Sequence, residues 1–205
     1  MKTSLAFGCV MCVFACNVLA QATFHFQNYN SFSGIDAPVF DAEGNRLAGS
    51  DYAVELWGGS SNNSLSPTLN FANSQRLFLN FKTGIAAGYF FSTAEMTVFA
   101  VPGNGFAWMQ VRAWETRLGT TWEEVAAIGM GGYGESSLLY IMGGDPNGVP
   151  PTTPRPLIGL QSFSLRPIPE PAVWQLGVIG FASLLLVRQK TGRTKSYENK
   201  SHSCD

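Results

Sequence analysis

Cysteine and histidine are almost absent from the middle of this 205-residue chain. The four cysteines and two histidines are Cys9, Cys12, Cys16, Cys204, His25 and His202. A segment without cysteine cannot build a disulfide framework, a thiolate zinc cluster or a cysteine–histidine catalytic pair. Residues 23–167 are long enough to bury their own core, so we expect one domain there that is held by packing alone and binds no metal.

Basic residues are also scarce in this segment. Residues 23–167 carry seven Lys or Arg against eleven Asp or Glu. Binding to nucleic acid needs clustered positive charge that neutralises phosphates, so we do not expect it here. The stretch from Arg188 onward has the opposite balance, with five basic residues against two acidic ones.

The first 22 residues have the order of a secretory signal peptide. Lys2 provides a positive start, residues 5–18 form an apolar run, and small residues allow cleavage after Ala20 or Ala22. Export through the Sec machinery is the expected route. Residues 13–16 also resemble a lipobox, but the bulky second residue and the short apolar run before it favour ordinary cleavage.

A second hydrophobic segment lies near the C-terminus. Residues 172–187 are apolar and number about sixteen, somewhat fewer than the roughly twenty that cross a bilayer perpendicularly. Trp174 suits the bilayer interface and long basic side chains reach outward, so we expect a transmembrane helix over 172–187. Positive charge after the span places residues 196–205 in the cytoplasm and the large domain outside. The basic residues that would stop transfer are Arg188, Lys190, Arg193 and Lys195.

Pro169, Glu170 and Pro171 immediately precede this run. Proline lacks a backbone N–H and disfavours helix in the residue before it, so the motif should be extended and accessible. A Pro-Glu-Pro motif, a hydrophobic segment and a basic cluster in this order resemble the sorting tail of bacterial PEP-CTERM proteins, here over residues 168–195. The resemblance implies processing near the motif by an exosortase-type enzyme in the inner membrane. It also implies a place at the cell surface or in an extracellular matrix, with exopolysaccharide as a partner.

Apolar residues within 23–167 follow the period of β-strands. Phe24 and Phe26 alternate with polar neighbours, and residues 52–57 alternate in the same way, which predicts two half-buried strands. Further strands are expected at 38–40, 77–79, 96–101, 107–115, 137–142 and 160–165. Turns rich in Gly and Asn separate them. The sequence therefore predicts an all-β fold, an antiparallel β-sandwich of about eight strands.

One segment predicts a short helix within this domain. Thr121 followed by Glu124 fits a capping box, and residues 122–128 would make two turns that end at Gly129. We expect the helix to cover one end of the sandwich. Residues 129–134 then spell the Gly-x-Gly-x-x-Gly of a dinucleotide site, but that motif needs a strand before it and a helix after it, so a loop is predicted.

Residues 41–45, Asp-Ala-Glu-Gly-Asn, place oxygen atoms at alternate positions as half of a calcium loop would. The downstream acid of an EF-hand is missing, and these residue types are the ones that turns select, so a hairpin turn is predicted. Asp36 is the residue that could complete a metal site.

Five glutamates give the main opportunity for catalysis: Glu55, Glu115, Glu123, Glu124 and Glu135. Two of them would have to lie about 5–10 Å apart to act as the acid and base of a glycosidase. His25 is expected on a solvated strand face, and the chain has no Gly-x-Ser-x-Gly elbow. We expect a domain that is not an enzyme and needs no cofactor.

Aromatic residues give the clearest indication of binding. Trp108 and Trp114 lie six residues apart in one predicted strand, so both point to the same face, together with Gln110 and Arg112. Two indoles, an amide and a guanidinium could stack on a sugar and hydrogen-bond it, or could form core. The expected function is an exported structural or adhesive protein of the surface or matrix, with a carbohydrate-binding module or a polysaccharide-acting enzyme as the alternative.

Overall fold

The computed structural model of the protein describes residues 21–169. The first twenty residues of the predicted signal peptide, Glu170 and Pro171 of the sorting motif, the predicted span at 172–187 and the basic residues after it lie outside the described residues. Within 21–169, no helix is long and apolar enough to cross a membrane. Pro169, the last described residue, is exposed.

Antiparallel strands make up most of the secondary structure of the described residues, which confirms that the fold is mostly β and antiparallel. The four longest strands are β1 (Gln21–Gln27), β5 (Gly49–Gly59), β9 (Phe91–Pro102) and β10 (Phe106–Glu115). The shorter strands of the described part are β2 (Tyr29–Asn30), β3 (Ile35–Asp36), β4 (Val39–Phe40), β6 (Ser66–Pro67), β7 (Leu69–Asn70), β8 (Leu79–Phe81), β11 (Tyr133–Glu135), β12 (Leu139–Met142) and β13 (Phe163–Ser164). The described residues form thirteen strands, more than the eight or so predicted. The difference arises because several strands have only two to four residues, which is too few to show an alternating pattern.

Two sheets contribute to one hydrophobic core. The first has the order β1-β9-β7, and the second has the order β11-β10-β5-β6, with β12 paired to β10 and β8 to β5. A short parallel pair joins β4 to β13, and β2 pairs with β3. Phe24 and Met96 from the first sheet and Leu56 and Met109 from the second are fully buried in the shared core. Removal of this apolar surface from water is the main force that holds the two sheets together.

Strand β5 is buried on both faces, although its alternating sequence predicts one solvated face. All residues from 53 to 59 are buried. Glu55 and Trp57 lie on the face away from the core, where Glu55 pairs with Arg76 and Trp57 packs against Arg112. Polar side chains become buried here because partners distant in sequence satisfy them. His25 on β1 is likewise half-buried rather than solvated.

Helix α1 (Trp122–Ile128) forms as its capping box predicts. The backbone N–H of Glu124 donates to the hydroxyl of Thr121 at 3.3 Å, and the backbone N–H of Thr121 donates to the Glu124 carboxylate at 3.3 Å. Gly129 then ends the helix with a φ of 70°, a left-handed conformation that glycine adopts without strain. Val125 is fully buried against Trp114, so the helix covers one end of β10.

Residues 41–45 form a loop, as predicted. In the segment 129–134, residues 129–132 form a loop, whereas Tyr133 and Gly134 already belong to β11. The backbone N–H of Asp41 donates to the Asn45 carbonyl at 2.8 Å, and the Asp41 carboxylate accepts from the Asn45 N–H at 2.7 Å, which closes a hairpin turn. Asp36 accepts instead from the hydroxyl of Tyr89 at 2.6 Å. Residues 129–132 follow α1 and lead into β11, the reverse of the order that a dinucleotide site needs.

Candidate functional site

Strand β10 presents a polar and aromatic face on the side away from the core. Ala107, Met109, Val111 and Ala113 point inward and are fully buried. The intervening residues point to the other face, and Trp108, Gln110 and Arg112 are all partly exposed there. The alternation of a strand thus places these three predicted binding residues side by side.

Trp114 lies on the same face but does not take part in the site. Its side chain has 0% exposure, because helix α1 covers that end of the strand. The indole Nε1–H donates to the Gly119 carbonyl at 3.2 Å, and Phe78 packs edge-on with ring centroids 5.7 Å apart. Of the two alternatives that the sequence leaves open for Trp114, ligand contact or core, the structure shows core, since the residue is part of a small second core.

The guanidinium of Arg112 packs against two indoles, those of Trp57 and Trp122, and no local sequence pattern predicts that these three residues meet. Its guanidinium carbon lies 3.9 Å from the ring centroid of Trp57 and 4.1 Å from that of Trp122. Trp57 comes from β5, directly opposite Gln110, and Trp122 is the first residue of α1. The Arg112 Nε–H donates to Gln110 Oε1 at 2.9 Å, which fixes the plane of the guanidinium. This desolvated position lowers the pKa of Arg112, and neighbouring glutamates oppose the shift.

A cavity of about 310 Å³ lies above this arrangement. Its base is formed by Gln110, Arg112 and the two indoles. Asn62 and Asn63, from the loop after β5, bring two amide groups to one side. Glu135 and Leu138 line the other side. The cavity therefore offers mainly donors and acceptors of hydrogen bonds for a small polar ligand. Its aromatic surface is smaller, because Trp57 is buried and Arg112 covers one face of each indole.

Two buried polar atoms of the residues around the cavity lack a partner. Trp122 Nε1 and Glu135 Oε2 make no hydrogen bond to any described residue. An unsatisfied buried polar group costs about 1–3 kcal/mol, so native proteins seldom retain one without a reason. One atom is a donor and the other an acceptor, but both are closed off from solvent, so a ligand hydroxyl reaches either of them only after a small movement of the surrounding side chains.

Six charged side chains in and beside the cavity balance one another: Arg76, Arg112, Arg166, Glu55, Glu123 and Glu135. Arg76 donates to both oxygens of Glu55 at 2.7 Å. Arg166 donates to the other carboxylate oxygen of Glu135, Oε1, at 2.7 Å. Because the three positive and three negative charges cancel, a bound ligand meets little net charge.

Glu55 is the most deeply buried of these charged groups, with 0% exposure. Burial raises the pKa of its carboxyl, and hydrogen bonds from Arg76 and from the Trp57 indole oppose that shift. The hydrogen bonds that Arg76 donates to Glu55 in turn raise the pKa of Arg76. Glu55 therefore orients Trp57 from beneath and does not reach the cavity itself.

Of the five glutamates considered for catalysis, Glu135 is the one that lines this cavity. Glu115 pairs with Arg117, Glu123 with Arg76, and Glu124 caps α1. Among residues 21–169, no group of three or more His, Cys, Asp or Glu side chains is arranged to hold a metal ion.

No family model, curated protein or solved structure matches this chain. An assignment of function therefore rests on the residues around the cavity and on the order of segments along the chain.

Proposed function

We propose that the protein is an exported structural or adhesive component of the cell surface or extracellular matrix, and that its β-sandwich domain binds an uncharged saccharide in the cavity around Arg112. The two sheets that enclose one core support the sandwich. The cavity supports saccharide binding, and the C-terminal segment supports sorting to the surface. Separate experiments test these two parts of the function.

The observation that carries the proposal is the cluster of Trp57, Arg112 and Trp122, in which the two indoles meet edge-on, beside two unpartnered polar atoms. A pyranose ring has apolar C–H faces that pack on indoles, and its hydroxyls both donate and accept hydrogen bonds. After a small side-chain movement that opens both atoms to the cavity, a hydroxyl that accepts from Trp122 Nε1 and another that donates to Glu135 Oε2 would satisfy them. The balanced charge favours a neutral sugar over a polyanion, which the excess acidity of residues 23–167 would also repel.

Sorting through the C-terminal segment is the second part of the proposal. Pro169, the last described residue, is exposed, which supports access of a processing enzyme to the first residue of the motif. Cleavage by signal peptidase after Ala20 fits this domain better than cleavage after Ala22. Ala22 belongs to β1, where it is fully buried and pairs with Val98 of β9.

A glycan array probed with the purified full-length protein in mild detergent tests the binding site. We expect binding to neutral glycans and none to polyuronates. Replacement of Trp122 by phenylalanine keeps the aromatic ring and removes one donor, so affinity should fall about fivefold, equivalent to about 1 kcal/mol.

The matched control is Arg117→Gln, which removes a cation whose side chain is 68% exposed and lies outside the cavity. It should leave binding unchanged. Absence of binding to every neutral glycan, or equal loss in the two variants, would overturn the saccharide site.

A further inference from the structure

A row of exposed aromatic residues continues the face of β10 beyond the cavity. Phe106 and Tyr140 are 52% and 56% exposed, and their rings stack with centroids 5.1 Å apart at 22°. Trp108 lies against the same tyrosine at 4.9 Å. Three aromatic rings thus form one surface, made of two residues from β10 and one from β12. We call it the aromatic platform.

The platform is continuous with the cavity. Trp108 lies two residues before Gln110 on β10, and therefore on the same face. On the neighbouring strand β5, Gly59 stands opposite Trp108 and Trp57 stands opposite Gln110. The backbone of Ser64 and Leu65 fills the space that a side chain at Gly59 would take, so the loop after β5 borders the face on this side. The platform and the cavity are therefore joined along β10 itself, from Trp108 to Gln110. From Arg112 to Phe106 this face extends roughly 20 Å along the strand.

Charge and exposure both distinguish the platform from ordinary surface. No residue from Phe106 to Gln110 is charged, and neither Tyr140 nor Met142 on β12 is charged. Aromatic side chains usually bury their large apolar area, and a contiguous exposed group of them commonly marks a binding surface. The face therefore combines a polar cavity at one end with an uncharged surface of stacked and tilted aromatic rings at the other.

We propose that the platform is a second saccharide subsite, so that the protein holds an internal stretch of an extended neutral glycan chain rather than a single sugar. This inference rests on the saccharide site proposed above. One sugar occupies the cavity beside Arg112, and the following sugars of the same chain pack against the parts of the Phe106, Trp108 and Tyr140 rings that their mutual stacking leaves exposed. A polymer held this way fits an adhesive role, because many copies of the protein can bind along one chain.

Calorimetric titration with saccharides of two lengths tests the inference. The probes are the monosaccharides and linear hexasaccharides of glucose, mannose and N-acetylglucosamine, added to the full-length protein in mild detergent. We expect the hexasaccharide of at least one series to bind roughly tenfold or more tightly than its monosaccharide, because it gains the stacking contacts of the platform.

Two variants separate the subsites. Tyr140→Ala should abolish the gain from length and leave the monosaccharide affinity within about twofold of the original, since independent sites act additively. Trp122→Phe should weaken both lengths by the same factor. Phe99→Ala is the matched control, because Phe99 is also 56% exposed but lies on β9 in the other sheet.

The affinities for the two saccharide lengths also distinguish failure of the platform from failure of the saccharide site. Equal affinity for both lengths overturns the platform and leaves the cavity site intact. No binding of any probe by the protein contradicts the saccharide function itself. Conversion of a dimer to a monomer by Tyr140→Ala, measured by sedimentation at the same concentrations, would show that the platform binds a second copy of this chain and would overturn the inference.

Discussion

Replacement of Trp114 and Trp108 by alanine should have very different effects on stability, although the two residues share one face of one strand. Trp114 is fully buried under α1, and its indole donates to the Gly119 carbonyl. Its loss removes buried apolar surface and leaves a cavity, so we expect a cost of about 4 kcal/mol. Trp108 is half-exposed and packs mainly on Tyr140, so its loss should cost about 1 kcal/mol.

Thermal unfolding measures the difference directly. In a protein of this size, 1 kcal/mol corresponds to a shift in Tm of about 3 °C. Trp114→Ala should therefore lower Tm by about 12 °C and Trp108→Ala by about 3 °C, with urea unfolding as an independent measure of the free energy. Comparable losses in the two variants would refute the position of α1 over the end of β10, and with it the position of Trp122 beside Arg112.

The remaining predictions concern the helix cap, pH, sheet packing and sorting. Thr121→Ala should cost about 1 kcal/mol in urea unfolding, because the first turn of α1 loses its cap. Hydrogen bonds from Thr120 and Thr121 lower the pKa of Glu124, so its stabilising contribution is present above the unfolded-state pKa and is lost as pH falls through the lowered folded-state value. Glu124→Gln should remove that loss from a plot of stability against pH. Gly58→Ala should destabilise by about 1–3 kcal/mol, since the new Cβ would lie 2.6 Å from Val98 Cγ2 of the facing sheet. Replacement of residues 169–171 by alanines should leave export intact and cause unprocessed protein to accumulate in the inner membrane, as seen by fractionation and immunoblot; identical processing would contradict the sorting signal.

Local signals in the sequence predict much of the fold. The period-two pattern is confirmed in β10, which places one row of side chains in the core and leaves most of the other row partly exposed. Around Phe24 it predicts a strand correctly but not its burial, because Thr23 and Gln27 are buried as well as Phe24 and Phe26. The cap formed by Thr121 and Glu124 is also confirmed, since its hydrogen bonds join residues three apart in the sequence. The hairpin turn at 41–45 depends on equally short contacts.

The composition of the site depends on contacts that no local pattern encodes. Trp57 joins Arg112 through the register of β5 against β10, and Trp122 joins it because α1 folds over the sheet. The same helix removes Trp114 from the surface. Glu55 is buried because Arg76, 21 residues further along the chain, pairs with it. The face of β10 could be predicted from periodicity, but the elements that cover one end of it and enclose the middle could not.

The saccharide site around Arg112 is tested most directly by the indole N–H resonances of the tryptophans during a titration with a neutral glycan that binds on the array. Trp122→Phe identifies one of these signals by its disappearance. The Trp122 signal should shift most, because its Nε1–H has no partner among the described residues and would donate to a sugar hydroxyl. The Trp114 signal should stay in place, because its Nε1–H donates to the Gly119 carbonyl in the interior. A Trp122 signal that does not move at saturation, or a Trp114 signal that moves as far, would contradict the site.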